Sequence, residues 1–264
     1  GIHSALRHGE AEGHHHGVER GFNLRETELA FSATVDPYFD AAVYLALESD
    51  GAVEVEEAYI TTRSLPAGFQ LKAGKFLSNI GYANSQHPHQ WQFTDQNLPY
   101  AQLLGDHGLG DTGLQLSYLA SLPFYLKLGL EAFQGGHNEW FGRLEAETDA
   151  VTGASLTAEE AGPRLTTAFA KFGPNLGANH ALQLGVFAAW AEQHQEIHHA
   201  GEPDEHALEG DARLWGAEAV YQFDAPGSYG QGDWRVQAEY LRMTKDLNLT
   251  DHLERPKAIG QQRK

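Results

Sequence analysis

Residues 36–51, DPYFDAAVYLALESDG, pose the question on which the fold turns. Phe39, Ala41, Val43, Leu45 and Leu47 take every second position, while Asp40, Ala42, Tyr44, Ala46 and Glu48 fill the gaps. Successive side chains of a strand leave on opposite faces, so the stretch has one unbroken apolar face and one mixed polar face. In a water-soluble sheet the apolar face looks inward, whereas in a membrane barrel it looks outward. The segment is compatible with both, and the choice comes from the rest of the chain.

Ten runs of this kind can be marked, at about 24–35, 38–48, 53–62, 69–76, 113–121, 124–133, 164–172, 181–191, 213–223 and 233–243. Most are close to the roughly 9–11 residues that a tilted membrane-spanning strand needs. Phe124, Leu126, Leu128 and Leu130 alternate with Tyr125, Lys127, Gly129 and Glu131. Trp234, Val236, Ala238 and Tyr240 alternate with Arg235, Gln237 and Glu239. Only 164–172 is ambiguous, with Thr and Ala on both faces.

After the fourth run the connections alternate in length. Long ones at 77–112, 134–163 and 192–212 are separated by the turn at 121–123, GPNLGANH at 173–180 and DAPGSYGQGD at 224–233. All long loops at one end of a meander is the pattern of outer-membrane barrels, whereas Greek-key sandwiches mix the two ends. The expected fold is therefore all-β: a single domain over 1–264, an antiparallel up-and-down transmembrane barrel, with 1–20 and 245–264 as loop or tail. The same parity starts the first run on the outer side. AIGQQRK lacks the terminal aromatic of a complete outer-membrane strand, so first and last strands are expected beyond this sequence.

Composition agrees. There are 29 glycines and 11% aromatics, which suits a β protein with many turns, and no cysteine on which to base disulfide or thiol chemistry. No stretch approaches the roughly 18 apolar residues of a spanning helix. A formal charge of -18 argues against nucleic acid, whose phosphates need Lys and Arg, and favours cations.

Taken together, GFNLRETELAFSATVDPYFDA (21–41), VEVEEAYI (53–60), LKAGKF (71–76) and GYANSQHPHQW (81–91) resemble Gram-negative outer-membrane barrels of the phosphate-selective and carbohydrate porin families. The resemblance implies a porin-like channel in the bacterial outer membrane, surrounded by lipid and able to oligomerise. It also implies a long loop after GKF that folds inward and narrows the pore. A phosphate-selective pore would need a ladder of Lys and Arg. The expected pore-lining residues are instead Glu26, Glu28, Asp40, Glu48, Glu131, Glu218 and Glu239 against Lys72, Lys127 and Arg235. That balance favours passive passage of small hydrophilic solutes with a lean toward cations. Phe39, Phe124, Trp190, Phe223 and Trp234 would form aromatic girdles on the lipid side.

Fifteen histidines are the chemical anomaly. The densest group, His194, His198, His199 and His206, lies among carboxylates with no Lys or Arg between 192 and 212. Imidazole and carboxylate suit zinc and other divalent transition metals, so this loop is a candidate metal site, although no cofactor is required. The competing reading is a solvated acidic loop.

Enzyme motifs fail one by one. GLGDTG (108–113) precedes a strand rather than a helix, and HQEIHH has Gln195 where H-E-x-x-H needs Glu. Glu56 and Glu57 are adjacent and are expected to face opposite ways on a strand. No catalysis is expected. Two other classes stay open: a soluble or periplasmic β-barrel or sandwich that binds a ligand or metal, and a metal-related outer-membrane receptor whose plug lies outside this sequence.

Overall fold

A computed structural model describes residues 26–48, 51–93, 96–105, 107–136, 141, 162–198, 206–227, 229–250 and 257–263. The alternating runs become one antiparallel meander. In chain order the strands are β1 (Glu26–Thr34), β2 (Phe39–Glu48), β3 (Val53–Thr62), β4 (Phe69–Leu77), β5 (Gly110–Leu119), β6 (Tyr125–Phe133) and β7 (Leu165–Gly173). Then come β8 (His180–His198), β9 (His206–Phe223), β10 (Trp234–Thr250) and β11 (Lys257–Arg263). Each strand pairs with its sequence neighbours, and the sheet is open, with β1 and β11 as its edges.

Two expectations are corrected here. Residues 192–212 are largely not a loop: β8 continues to His198 and β9 begins at His206, pairing almost to their tips. Nor is 245–264 simply a tail, because β10 runs to Thr250 and an eleventh strand covers Lys257–Arg263. Both were hidden because beyond Trp190 the outward positions turn polar, so the apolar alternation used to find strands ends before the strands do. Residues 1–20 lie outside the described set.

The exposure pattern answers the opening question. Leu128, Leu130, Val186, Trp190, Trp215, Val236 and Tyr240 are between 41% and 59% exposed on one face. On the other face of the sheet Gln115, Ser117, Glu131, Thr167, Lys171 and Glu218 are buried. Strand β7 resolves in this way, with Leu165, Thr167, Phe169 and Lys171 turned inward. One face of the sheet is apolar and exposed, and the opposite face mixes buried polar side chains with a buried aromatic and aliphatic core.

What buries the polar face is the chain between β4 and β5. This inward segment, 78–109, carries the short helix α1 (Leu98–Leu104), capped by the Asn97 side chain accepting from Tyr100 N at 3.1 Å. Ile80, Tyr100, Leu104 and Leu109 are buried with Phe76, Phe133, Phe169, Phe187 and Leu214 of the strands in one core. Each such side chain is worth roughly 1.5–3 kcal/mol on burial. The segment is thus part of the packed interior, and its contacts reach from β1 to β10, so the sheet curves round it.

Candidate functional site

Three inward-facing carboxylates hold the segment in place. Glu131 on β6 accepts from Ser78 Oγ, Thr167 Oγ, Gln115 Nε2 at 2.6 Å and the Asn79 amide at 3.0 Å. Glu239 on β10 accepts from the Tyr82 and Ala83 amides at 3.0 and 3.1 Å and from the Tyr100 hydroxyl at 2.6 Å. Burial, reinforced by Glu239, pushes the Tyr100 hydroxyl up, so it stays a donor. Glu218 acts through Lys171, whose Nζ lies 3.5 Å from it and donates to Gly81 O at 2.9 Å. Asn84 closes the segment's base, its amide donating to Ser78 O and Leu109 O while its oxygen accepts from Leu109 N at 2.7 Å.

The expected pore-lining set therefore divides. Glu131 and Glu218 face inward as expected, but both are buried and occupied with the segment rather than with open lumen. Glu239 is half-buried and likewise committed. Lys72 lies 4.1 Å from the Tyr59 ring centre and Arg235 lies 4.8 Å from that of Tyr82. Lys127 is half-buried over Phe169, and Asp40 faces Arg63 at 3.5 Å. Glu26 and Glu48 pair across β1 and β2, with side chains outside the described set. A cavity of about 780 Å³ remains between the segment and β10, lined in part by Trp91, Phe93, Tyr100, Gln237 and Glu239.

On the opposite flank His87 meets three carboxylates. Its Nε2 is 2.7 Å from Glu57 Oε1, and its Nδ1 is 3.5 Å from Glu56 Oε2 and 3.7 Å from Glu28 Oε2. The ring stacks on Tyr44 at 4.9 Å and on His89 at 5.8 Å between centres. Burial would lower the imidazole's pKa, but Glu56 and Glu57 beside it outweigh burial and raise it to about 10.

The expectation that Glu56 and Glu57 diverge is wrong for a specific reason. In the β2–β3 register Tyr44 pairs with Glu57 and Leu45 with Val55, so Glu56 is the extra residue of a bulge. A bulge re-aims side chains, and here it turns neighbouring carboxylates toward the same ring. Strict period-two reading cannot see this.

The histidines proposed for metal lie elsewhere. His194 is buried and His198 and His206 are half-buried, on the β8–β9 hairpin, while His199 lies outside the described residues. A second bulge, with Gln193 at φ 60, brings His194 inward. There Lys245 of β10 ion-pairs with Glu196 and lies 2.9 Å from His194 Nε2. His198 Nε2 is 3.2 Å from Glu196 Oε2, and its ring is 5.6 Å from that of His206. The stretch 192–212 has no basic residue of its own, yet the neighbouring strand supplies one, and its ammonium occupies the carboxylate.

No protein-family model matches the chain, and no solved structure matches it. A protein of Aquifex aeolicus (strain VF5), described as uncharacterized, is 40% identical over 223 residues. The match takes in 83% of this chain and 46% of that protein, so the chain spans about half of its relative's length.

Proposed function

We propose that this chain forms the wall of an outer-membrane β-barrel that passes small hydrophilic solutes by diffusion, with a lean toward cations. The carrying observation is the belt on the outer face. On β8 it runs from the level of His180, paired with Phe223, up to Trp190. At about 3.4 Å per residue and a tilt near 40°, that stretch is roughly 26 Å tall, close to the apolar band of outer-membrane barrels. Leu184 and Val186 fill it, Trp190 and Trp215 mark its upper edge, and Phe39, Phe124, Phe223 and Trp234 stand at the short-turn rim. Arg213 and Arg242 stand at the upper edge, paired with Trp190 and Trp215, with Arg242 6.0 Å from the Trp215 ring centre, and Glu192 follows just beyond. Single exposed apolar residues are ordinary, but a belt edged by aromatics and then charges marks an interaction surface, and its height supports lipid as the partner. Among the described residues no helix is long and apolar enough to cross a membrane.

The inward segment supports a constricted passage, and the cavity beside β10 is the room it leaves. With Glu131, Glu218 and Glu239 committed to the segment, the cation lean rests on Glu26, Glu28, Asp40, Glu48 and the acidic outer connections. Planar-bilayer recording of the detergent-extracted full chain tests both parts. Steps of conductance favouring cations at low salt are expected, with the preference reduced by neutralising Glu26 and Glu28. Release into the aqueous fraction without detergent would refute the membrane reading, and anion preference would refute the lean. A soluble ligand-binding protein is the second reading, favoured by the aromatic-lined cavity. It would require a partner over the whole apolar belt.

A further inference from the structure

We propose that Glu28, Glu56 and His87 form a divalent-metal site of the zinc class on the inner face, where the inward segment meets β1 and β3. Among the described residues these three offer ligand atoms that all lie within 4.8 Å of one another. Two ligands of one tetrahedral zinc, at about 2.0–2.2 Å from the ion, stand roughly 3.3–3.6 Å apart. The separations from His87 Nδ1 to Glu56 Oε2 and Glu28 Oε2, 3.5 and 3.7 Å, are close to that. They are ion-pair distances, long for a well-formed N–H···O bond.

The carboxylates point the same way. Oε2 of Glu28 and Oε2 of Glu56 are both buried, and no hydrogen bond reaches either. The cation beside them is the His87 ring itself while it keeps its proton, and a metal ion that displaces that proton would lie between both oxygens. The other imidazole nitrogen is already engaged, Nε2 lying 2.7 Å from Glu57 Oε1. A carboxylate behind a histidine fixes its tautomer and leaves the opposite nitrogen to the metal. The bulge at Glu56 makes the arrangement possible, since it allows one residue to orient the ring and its neighbour to bind the ion. His89, half-exposed with Nδ1 3.0 Å from Glu28 Oε2, borders the open fourth position. Imidazole among the ligands favours zinc over calcium or magnesium.

Zinc(II) titrated by calorimetry into the chelator-stripped, detergent-solubilised full chain should fill one site above the background of the other histidines. His87→Ala and the double variant Glu28→Gln, Glu56→Gln should each lack it. Glu57→Gln keeps every ligand and an acceptor oxygen but removes the negative charge behind the ring, so it should weaken the site about 10- to 100-fold. Calcium(II) should not compete. X-ray absorption on the wild-type chain with one equivalent of zinc reads the ligand shell without any variant. Oxygen neighbours and a single imidazole are expected there. Wild-type isotherms from both ligand variants would overturn the assignment, as would an imidazole-rich shell, which would place the ion on the 194–206 hairpin or the N-terminal histidines. Neither readout depends on membrane insertion or conductance, so this site and the channel stand or fall separately.

Discussion

Replacing Val186 by arginine separates a lipid-facing belt from a merely exposed one. Val186 is 59% exposed on the outer face of β8, four residues below Trp190 and six above His180. With the spacing and tilt used above, it stands about 10 Å from the upper edge and about 16 Å from the lower, near the middle of the belt. If water bathes that face, Val186→Arg falls among surface substitutions and changes stability by no more than about 0.5 kcal/mol. If lipid bathes it, an arginine near the midplane costs about 2–4 kcal/mol, or roughly 30- to 700-fold in the folding equilibrium. Asp211→Arg is the control, because Asp211 is exposed on β9 beyond the aromatic edge and should cost about 0–1 kcal/mol. Urea titration of the protein in lipid vesicles, followed by tryptophan fluorescence, measures both. Equal midpoints for Val186→Arg, Asp211→Arg and wild type would refute the argument from exposure, however the chain behaves in detergent.

The remaining predictions concern the inward segment and its anchors. Glu131→Ala strips four donors of a shared buried acceptor and should destabilise the fold by about 3–5 kcal/mol in the same urea titration, with Glu131→Gln costing less. Glu239→Ala combined with Tyr100→Phe cuts the segment loose from β10, so single-channel conductance should rise and the chain near Trp91 should become cleavable by protease; unchanged conductance would show that the segment does not limit the passage. Gly81→Ala should lower the thermal midpoint, because Gly81 has φ +62 and an added Cβ would lie 1.9 Å from the Tyr100 hydroxyl oxygen. The left-handed backbone alone costs about 1–2 kcal/mol, and Tyr100→Phe in the same chain should recover part of the contact loss but none of the backbone cost.

Alternation was enough to find the wall because each strand of the belt carries its own evidence. Leu126, Leu128 and Leu130 oppose Lys127 and Glu131 wherever the rest of the protein lies, and the register then follows from short turns. Two kinds of information were absent from that reading. One is length: β8 and β9 run on past Trp190 and Trp215 with polar side chains at the outward positions, so a hydrophobic period on the outer face could not reveal them. The other is the bulge. One added residue moves every later side chain to the other face, and nothing in VEVEEAYI announces where the addition falls. The bulges at Glu56 and at Glu192–Gln193 lie beside the two histidine groups.

Histidine density pointed to the less promising place for a related physical cause. Density along the chain counts neighbours in sequence, but a ligand set is made of neighbours across strands and segments. The 194–206 hairpin gathers imidazoles and carboxylates, and the pairing of β9 with β10 then brings Lys245 among them, which satisfies Glu196 with a cation built into the protein. Around His87 the chain supplies the two imidazoles of HPH, of which His87 is the proposed ligand, and takes its carboxylates from Glu28 and Glu56, on strands separated by β2. No lysine or arginine pairs with those two carboxylates among the ion pairs of the described residues. A lysine, which cannot become a ligand while it holds its proton, stands beside the first cluster, whereas in the second the paired cation is an imidazole that can exchange its proton for the metal, so the two give opposite expectations for added zinc. Removing Lys245 by Lys245→Met should create affinity at the hairpin where wild type has little, whereas the His87 site should need no such change. If zinc binds the hairpin equally with and without Lys245, the ammonium is not what keeps metal away, and the contrast between the clusters loses its physical basis.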